Sequence, residues 1–277
     1  MTVDLLTIEI HPDRAAMGAA AALRAAALLR SAIARQGHAR LIVASAPSQA
    51  ELIAALTAAP DLDWSLITVF HMDEYVGLPA GHPATFRAWQ EEHLLSKITP
   101  AVFHGIRGES SDIAAEASRY TALLQEAPID LVCMGIGENG HIAFNDPPVA
   151  DFGDPLMVKL VELDAACRQQ QVNDGCFSGL DGVPTHALTL TCPALMSGRS
   201  IVCVVPGPRK AAAVAASLQD PITSACPATI LRRHSDAILY LDTASAAGIS
   251  KGLPFGGDGV GVEPPGRAVL PMPLRFE

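Results

Sequence analysis

The chain is poor in aromatic residues, at 5%, and in charged ones, at 17%, and the charge it carries is mostly of one sign. A formal net charge of −10 leaves no basic stripe of the kind a broad nucleic-acid surface needs, which excludes that class of partner. Any anionic ligand must then be held by local donors, because the overall field opposes it. The six cysteines, at 133, 167, 176, 192, 203 and 226, form no C-x-x-C pair. Scattered spacing of this kind points to reduced thiols and a cytoplasmic setting. Cys133 and Cys203 fall inside apolar strand-like runs, where cysteine acts as a small hydrophobe. None of the six sits in a pattern that marks a nucleophile. The N-terminal Met1-Thr2-Val3-Asp4-Leu5 lacks the basic and apolar regions of a secretory leader. Uninterrupted apolar length is lacking too. Arg24 and Arg30 break the alanine-rich run from Ala15 to Ala34, which reads as an amphipathic helix packed on a sheet and not as a membrane span.

What is present suits one large globular unit. At 277 residues, 49% hydrophobic, the chain can bury a full core. Helical spacing covers Pro12–Arg35, Ala50–Ala58, the segment from Gly81 to about Leu95, Asp112–Gln125, an alanine-rich stretch after Lys210, and Ala228–His234. Strand-like runs cover Ala39–Ser45, Ile67–Phe70, Ile129–Met134, Leu156–Leu163, His186–Thr191, Ser200–Val205 and Asp236–Leu241, with a polar segment between Leu163 and His186. Strands that alternate with helices predict an α/β fold with a mostly parallel sheet over residues 1–242. From Thr243 to Glu277 the composition turns to glycine, proline and small residues, predicting an irregular tail outside the catalytic unit.

Two stretches carry chemistry. Gly135-Ile136-Gly137-Glu138-Asn139-Gly140-His141-Ile142-Ala143-Phe144-Asn145-Asp146-Pro147 follows a buried apolar run. Its glycines let the backbone turn sharply and approach a ligand. Its far edge brings an imidazole, His141, and a carboxylate, Asp146. Open α/β sheets place ligands in such loops at the carboxyl ends of strands. The second stretch, His71-Met72-Asp73-Glu74-Tyr75-Val76-Gly77-Leu78-Pro79, follows Ile67–Phe70 and sets two acids and a histidine at a strand end. Asp73 there can shuttle a proton. On pattern alone, a plain capping role for Asp73 with Glu74 in solvent stands beside that reading. A metal set of His71, His82 and His141 matches no known ligand spacing.

Two further segments suit an anion. Ser45-Ala46-Pro47-Ser48-Gln49 joins a strand to a helix start, offering free backbone N–H groups as a phosphate cradle or, alternatively, a serine N-cap. Lys210 opens a helix after Pro206-Gly207-Pro208-Arg209, where an anion or plain solvent suits it.

Phe70-x-Met72-Asp73-Glu74-Tyr75-Val76-Gly77-Leu78 and Gly135-x-Gly137-x-x-Gly140-His141-Ile142-Ala143-Phe144-Asn145, in this order, resemble the glucosamine-6-phosphate deaminase (isomerase) family, related to the 6-phosphogluconolactonases. The resemblance runs from about residue 10 to residue 242. It implies a Rossmann-like, mostly parallel sheet flanked by helices, of the glucosamine-6-phosphate deaminase/ribose-5-phosphate isomerase type. It also implies hydrolytic deamination coupled to aldose–ketose isomerisation of a phosphorylated amino sugar, with no metal or organic cofactor required and with self-association open. Among the catalytic positions it implies, Asp73 matches the family's proton-transfer base, Glu74 the acid beside it, and His141 the ring-opening histidine. Asn139 stands where the family usually has an aspartate, able to hydrogen-bond and orient the imidazole but without its charge, and Asp146 where it usually has a glutamate. For phosphate, the matching positions are Ser45, Ala46, Ser48, Gly137, Arg168 and Lys210. Ala46 and Pro47 depart from the family's Thr-Gly-x-Thr/Ser-Pro loop, and a later phosphate arginine falls near Val172. These departures keep two other readings open. One is a sugar-phosphate lactonase, against which stands Ala143-Phe144-Asn145 in place of the lactonases' usual Ala-Ser. The other is a sugar-binding or regulatory homologue weakened in catalysis.

Overall fold

The computed structural model describes residues 1–250. Its strands are β1 (Thr2–Val3), β2 (Leu6–His11), β3 (Ala39–Val43), β4 (Ile67–His71), β5 (Asp73–Tyr75), β6 (Val102–His104), β7 (Leu131–Met134), β8 (Val158–Glu162), β9 (His186–Leu190), β10 (Ser200–Val205) and β11 (Ala237–Asp242). The helices are α1 (Arg14–Gln36), α2 (Ala50–Thr57), α3 (Phe86–Gln90), α4 (Ile113–Gln125), α5 (Ala165–Asn173), α6 (Cys192–Met196) and α7 (Ala211–Gln219).

Eight strands form one sheet in the order β1-β2-β11-β10-β7-β3-β4-β6. All its neighbours pair parallel except β1 with β2. Every residue of β3, β7 and β10 is buried, as strands covered on both faces must be. Alternate residues feed opposite faces. Leu41, Val43, Leu131, Cys133, Val202 and Val204 pack under α1 and α2. Ile42, Val132, Met134, Ile201 and Cys203 pack on the other side, with residues of α4, α6 and α7. A separate antiparallel sheet, β5-β9-β8, stands beside the carboxyl end of β4.

Capping and close packing define α1. Asp13 Oδ1 accepts from Ala16 N at 2.8 Å, and Gly37, at φ +81°, closes the helix. By length and composition α1 is apolar enough to cross a membrane despite Arg24 and Arg30, contrary to the expectation from sequence. Its apolar stripe, from Met17 through Ala25 to Ala32, is buried in the core. Small residues let α2 approach closely; a Cβ on Gly18 would stand 2.5 Å from Glu51 Cβ.

Other departures from the sequence reading have local causes. The polar segment after Leu163 contains α5, capped by Asp164, whose side chain accepts from Ala166 N. Pro227–Arg233 is a 3₁₀ stretch instead of an α-helix. The helix after Thr85 widens into a π turn at Glu91–Leu95. The segment Thr2–His11, not anticipated as strand, forms β1 and β2. Residues 243–250 are not detached: Ser245–Gly248 makes a 3₁₀ turn with Ser245 fully buried and Gly248 against the backbone of Ala211. The rest of the expected tail lies outside the described residues.

Gly18→Ala is expected to lower the thermal melting midpoint. Helix propensity favours alanine by about 1 kcal/mol. Overpacking against the Glu51 backbone, 2.8 Å from the new Cβ, costs about 1–3 kcal/mol. A raised midpoint would show that α1 and α2 separate freely.

Candidate active site

The loops after β3, β4, β7 and β10 leave the carboxyl edge of the sheet on the same side and meet in a cleft. Polar and apolar side chains both line it. Asp73, His141, Ser45, Ala46, Ser48, Gly137 and Lys210 all line it.

The glycine loop is shaped around the imidazole. A Cβ on Gly137 would fall 2.2 to 2.4 Å from three atoms of the His141 ring, so only glycine admits the ring there. Ala143 takes φ +49°, a strained value for a residue with a side chain. Asn145 holds that turn, its Nδ2 donating to Ile142 O and Leu190 O. Behind the ring, Asp146 has no exposed surface. Its Oδ1 lies 2.9 Å from His141 Nδ1, at ion-pair distance but not aligned for a hydrogen bond. Asn139 Nδ2 donates to the same oxygen at 2.9 Å, and Asp164 N to the other at 3.4 Å. Burial pushes the Asp146 carboxyl up, but His141 and these donors more than offset it and leave it below its usual range. Asn139 therefore does not hydrogen-bond the ring, as the sequence suggested. It accepts from His141 N and secures Asp146.

The two acids of the second motif have opposite surroundings. Asp73 faces the cleft, and its carboxylate accepts no hydrogen bond from the described residues. Burial, and then the neighbouring Glu74 charge, push it well above the usual carboxylate range. Glu74 is fully buried and does not line the cleft. It accepts from Tyr75 N, Phe86 N and Arg87 N, capping the start of α3. Burial pushes its carboxyl up to about 7 against those three bonds. The structure thus gives Glu74 a positioning place, in contrast to the catalytic role expected for it.

At the other end of the cleft, Ser45 Oγ accepts from Gln90 Nε2 and Ser48 Oγ from Gln49 Nε2. Ala46 is extended at φ −152°, so the altered loop needs no left-handed residue. Pro47 opens a 3₁₀ turn into α2, where its missing N–H costs nothing. Ser48 is not an N-cap. Lys210 is buried, which lowers its ammonium pKa, and makes no hydrogen bond or ion pair with the described residues. Arg168 lies outside the cleft lining; its guanidinium donates to Leu180 O and Val183 O.

Residues not anticipated complete the wall. Gln170, Gln171 and Asp174, from α5 and its C-terminal end, line the cleft together with Gln49. Their spacing on one helix face after the Asp164 cap is a signal the sequence carries. Cys167 also sits close by: its Sγ, a His141 nitrogen and an Asp146 oxygen all lie within 4.8 Å of one another. Burial, then the Asp146 charge, raise the Cys167 thiol well above its usual range. The set His71, His82, His141 is not assembled. His71 is buried, its Nε2 accepting from Ile106 N and its pKa lowered to about 3 by burial, while His82 Nδ1 accepts from Ala84 N.

Comparison with known proteins agrees with this arrangement. A family model described as glucosamine-6-phosphate isomerases/6-phosphogluconolactonase matches residues 12–149. A glucosamine-6-phosphate deaminase of Exiguobacterium sibiricum is 35% identical over 189 residues, 68% of this chain and 73% of the relative. One of Listeria monocytogenes serotype 4a is 34% identical over 200 residues, 72% and 83% of the two chains. A solved monomeric glucosamine-6-phosphate deaminase superposes with a TM-score of 0.80 at 27% identity, covering 87% of this chain and 99% of that one. A 6-phosphogluconolactonase from Shewanella baltica gives 0.70 at 19% identity, covering 87% and 100%, a likeness of fold alone. With its two motifs meeting in one cleft and a relative of this identity covering most of its length, the chain belongs to the family of glucosamine-6-phosphate isomerases and 6-phosphogluconolactonases.

Proposed function

We propose that this protein is an amino-sugar-phosphate deaminase/isomerase, converting a hexosamine 6-phosphate to a 2-ketose phosphate and ammonia. The observation that carries this reading is the meeting of an unpartnered, buried Asp73 with the Asp146-backed His141 in one cleft that ends at Lys210. His141 moves a proton from the anomeric hydroxyl to the ring oxygen, which opens the sugar. The aldehyde acidifies the C2 proton, and Asp73 removes it to give an enolamine. The same carboxyl returns the proton to C1, leaving a C2 iminium. Water adds there and ammonia departs. A carboxyl raised by burial is a stronger base once ionised, which favours Asp73 for the C2 step. Lys210 holds the phosphate at the far end. The Asp146 charge, supported by Asn139, stabilises the imidazolium that forms during ring opening.

Asp73→Asn is expected to lower ammonia release from glucosamine 6-phosphate about 10²–10⁴-fold. Unchanged turnover would remove Asp73 from the chemistry. The same variant is expected to melt about 2–5 °C higher at pH 8. Burial raises the Asp73 carboxyl, so its contribution to stability is present below the unfolded value near 3.8 and is lost as pH rises toward the native value. Asparagine carries no such loss, and its advantage should vanish at pH 3.

Asn139→Asp installs the residue usual in relatives, yet here it replaces a donor to the buried Asp146 with a second, half-buried carboxylate beside it. It is expected to lower stability by about 1–3 kcal/mol at pH 7. Denaturant melts compared at pH 7 and pH 4 check this, the loss shrinking at the lower pH. Ammonia measured beside acid release from a sugar lactone phosphate separates the deaminase from the lactonase.

A further inference from the structure

The far end of the cleft has a charge problem. Lys210 is 7% exposed and its Nζ is unpaired among the described residues, so it offers one positive charge. Asp174, lining the same end, subtracts one. Gln170 and Gln171 add amides but no charge. A phosphate dianion meeting only this set would be poorly neutralised. A polar recess opens beside it, lined in part by Arg14, Ser48, Asp174, Arg209 and Lys210. Arg14 is committed there, with Nε and Nη2 donating to the two oxygens of Glu51 at 2.8 and 2.9 Å.

Arg209 is the remaining cation of the recess, and its acidic partners are Asp174 of the cleft lining and Glu138 of the glycine loop. Its Nη2 donates to Asp174 Oδ1 at 2.6 Å, its Nη1 to Asn173 O at 3.0 Å, and its Nε lies 3.3 Å from Glu138 Oε1. Asp174 ends α5, Glu138 belongs to the glycine loop, and Arg209 follows β10, so one guanidinium ties three separate segments. Its side chain is 53% exposed, so the tie is solvated and exchangeable.

Resting on the function proposed above, we infer that Arg209 is a second phosphate-binding residue, held in reserve by Asp174 and Glu138 and transferred to the phosphate when substrate enters. The guanidinium neighbours Lys210 in sequence and shares the recess with it, so a short rotation of one side chain exchanges a carboxylate for a phosphate. Guanidinium forks suit both acceptors, and the phosphate offers the greater charge. No bond is made or broken; the step is an ion-pair exchange. It leaves the largely covered carboxylates of Asp174 and Glu138, 15% and 26% exposed, without that guanidinium, a cost the phosphate contact must offset.

The test is calorimetric binding of inorganic phosphate and of glucosamine 6-phosphate to the full chain, with ammonia release measured alongside. Arg209→Ala is expected to weaken phosphate binding about tenfold to a hundredfold, and Arg209→Lys to restore part of it. For turnover, KM for the phosphorylated sugar should rise in Arg209→Ala while kcat changes little. Asp174→Asn is expected to tighten binding, and to tighten it much less when Arg209 is already alanine. Equal tightening in both backgrounds would mean that Asp174 merely repels the anion, and the exchange would be overturned. Unchanged phosphate affinity in Arg209→Ala overturns the inference outright while leaving the deaminase reading intact. Arg209-dependent phosphate binding without ammonia release sustains the inference and removes the deaminase reading.

Discussion

A fully buried carboxylate, Asp146, is the constraint on which the site depends. An ionised carboxylate away from water is tolerated only when its oxygens are matched by donors or positive charge. Here the groups that meet it come from different parts of the chain. Asn139 and His141 belong to the glycine loop that Asp146 itself ends, and Asp164 N stands at the start of α5. Satisfying one charge therefore fixes the imidazole that faces the cleft and also docks the helix bearing Gln170, Gln171 and Asp174. The glycine at 137 follows from the same demand, because the ring held by Asp146 lies where a Cβ would be.

Asp73 and Glu74 show how a period of two residues divides labour. Adjacent residues of a strand point to opposite faces. In β5 this sends Asp73 into the cleft, where it accepts no hydrogen bond from the described residues, and Glu74 inward to the first N–H groups of α3. The paired acid builds the wall, and the other is left facing the cleft. A carboxyl kept buried without a partner burdens the fold, which is why such groups are candidates for function.

Much of this was legible in the chain itself. The apolar runs at Ile67–Phe70, Ile129–Met134 and Ser200–Val205 announced central parallel strands because burial on both faces leaves no polar alternation. The glycine loop and the acidic motif named His141, Asp146 and Asp73, since those side chains lie within a few residues of the strand ends that deliver them. Asn139 was read as an orienting partner of the His141 ring. Its actual task, donating to Asp146, depends on a seven-residue loop closing on itself. Arg168 kept a motif position, but its guanidinium turns to the carbonyls of Leu180 and Val183.

The sequence by itself determined the local matters: which runs become strands, where α1 begins at Asp13 and ends at Gly37, and which loops carry an acid or an imidazole. These follow from periodicity, capping and backbone freedom, all set within about one or two turns of chain. Tertiary structure alone decided which of those groups meet. It brought α5 to the cleft, turned Glu74 away from it, and joined Glu138, Asp174 and Arg209 across three segments. The physical reason is range. Side-chain partners over thirty residues apart are chosen by how sheets and helices pack, and by which buried charges that packing must satisfy.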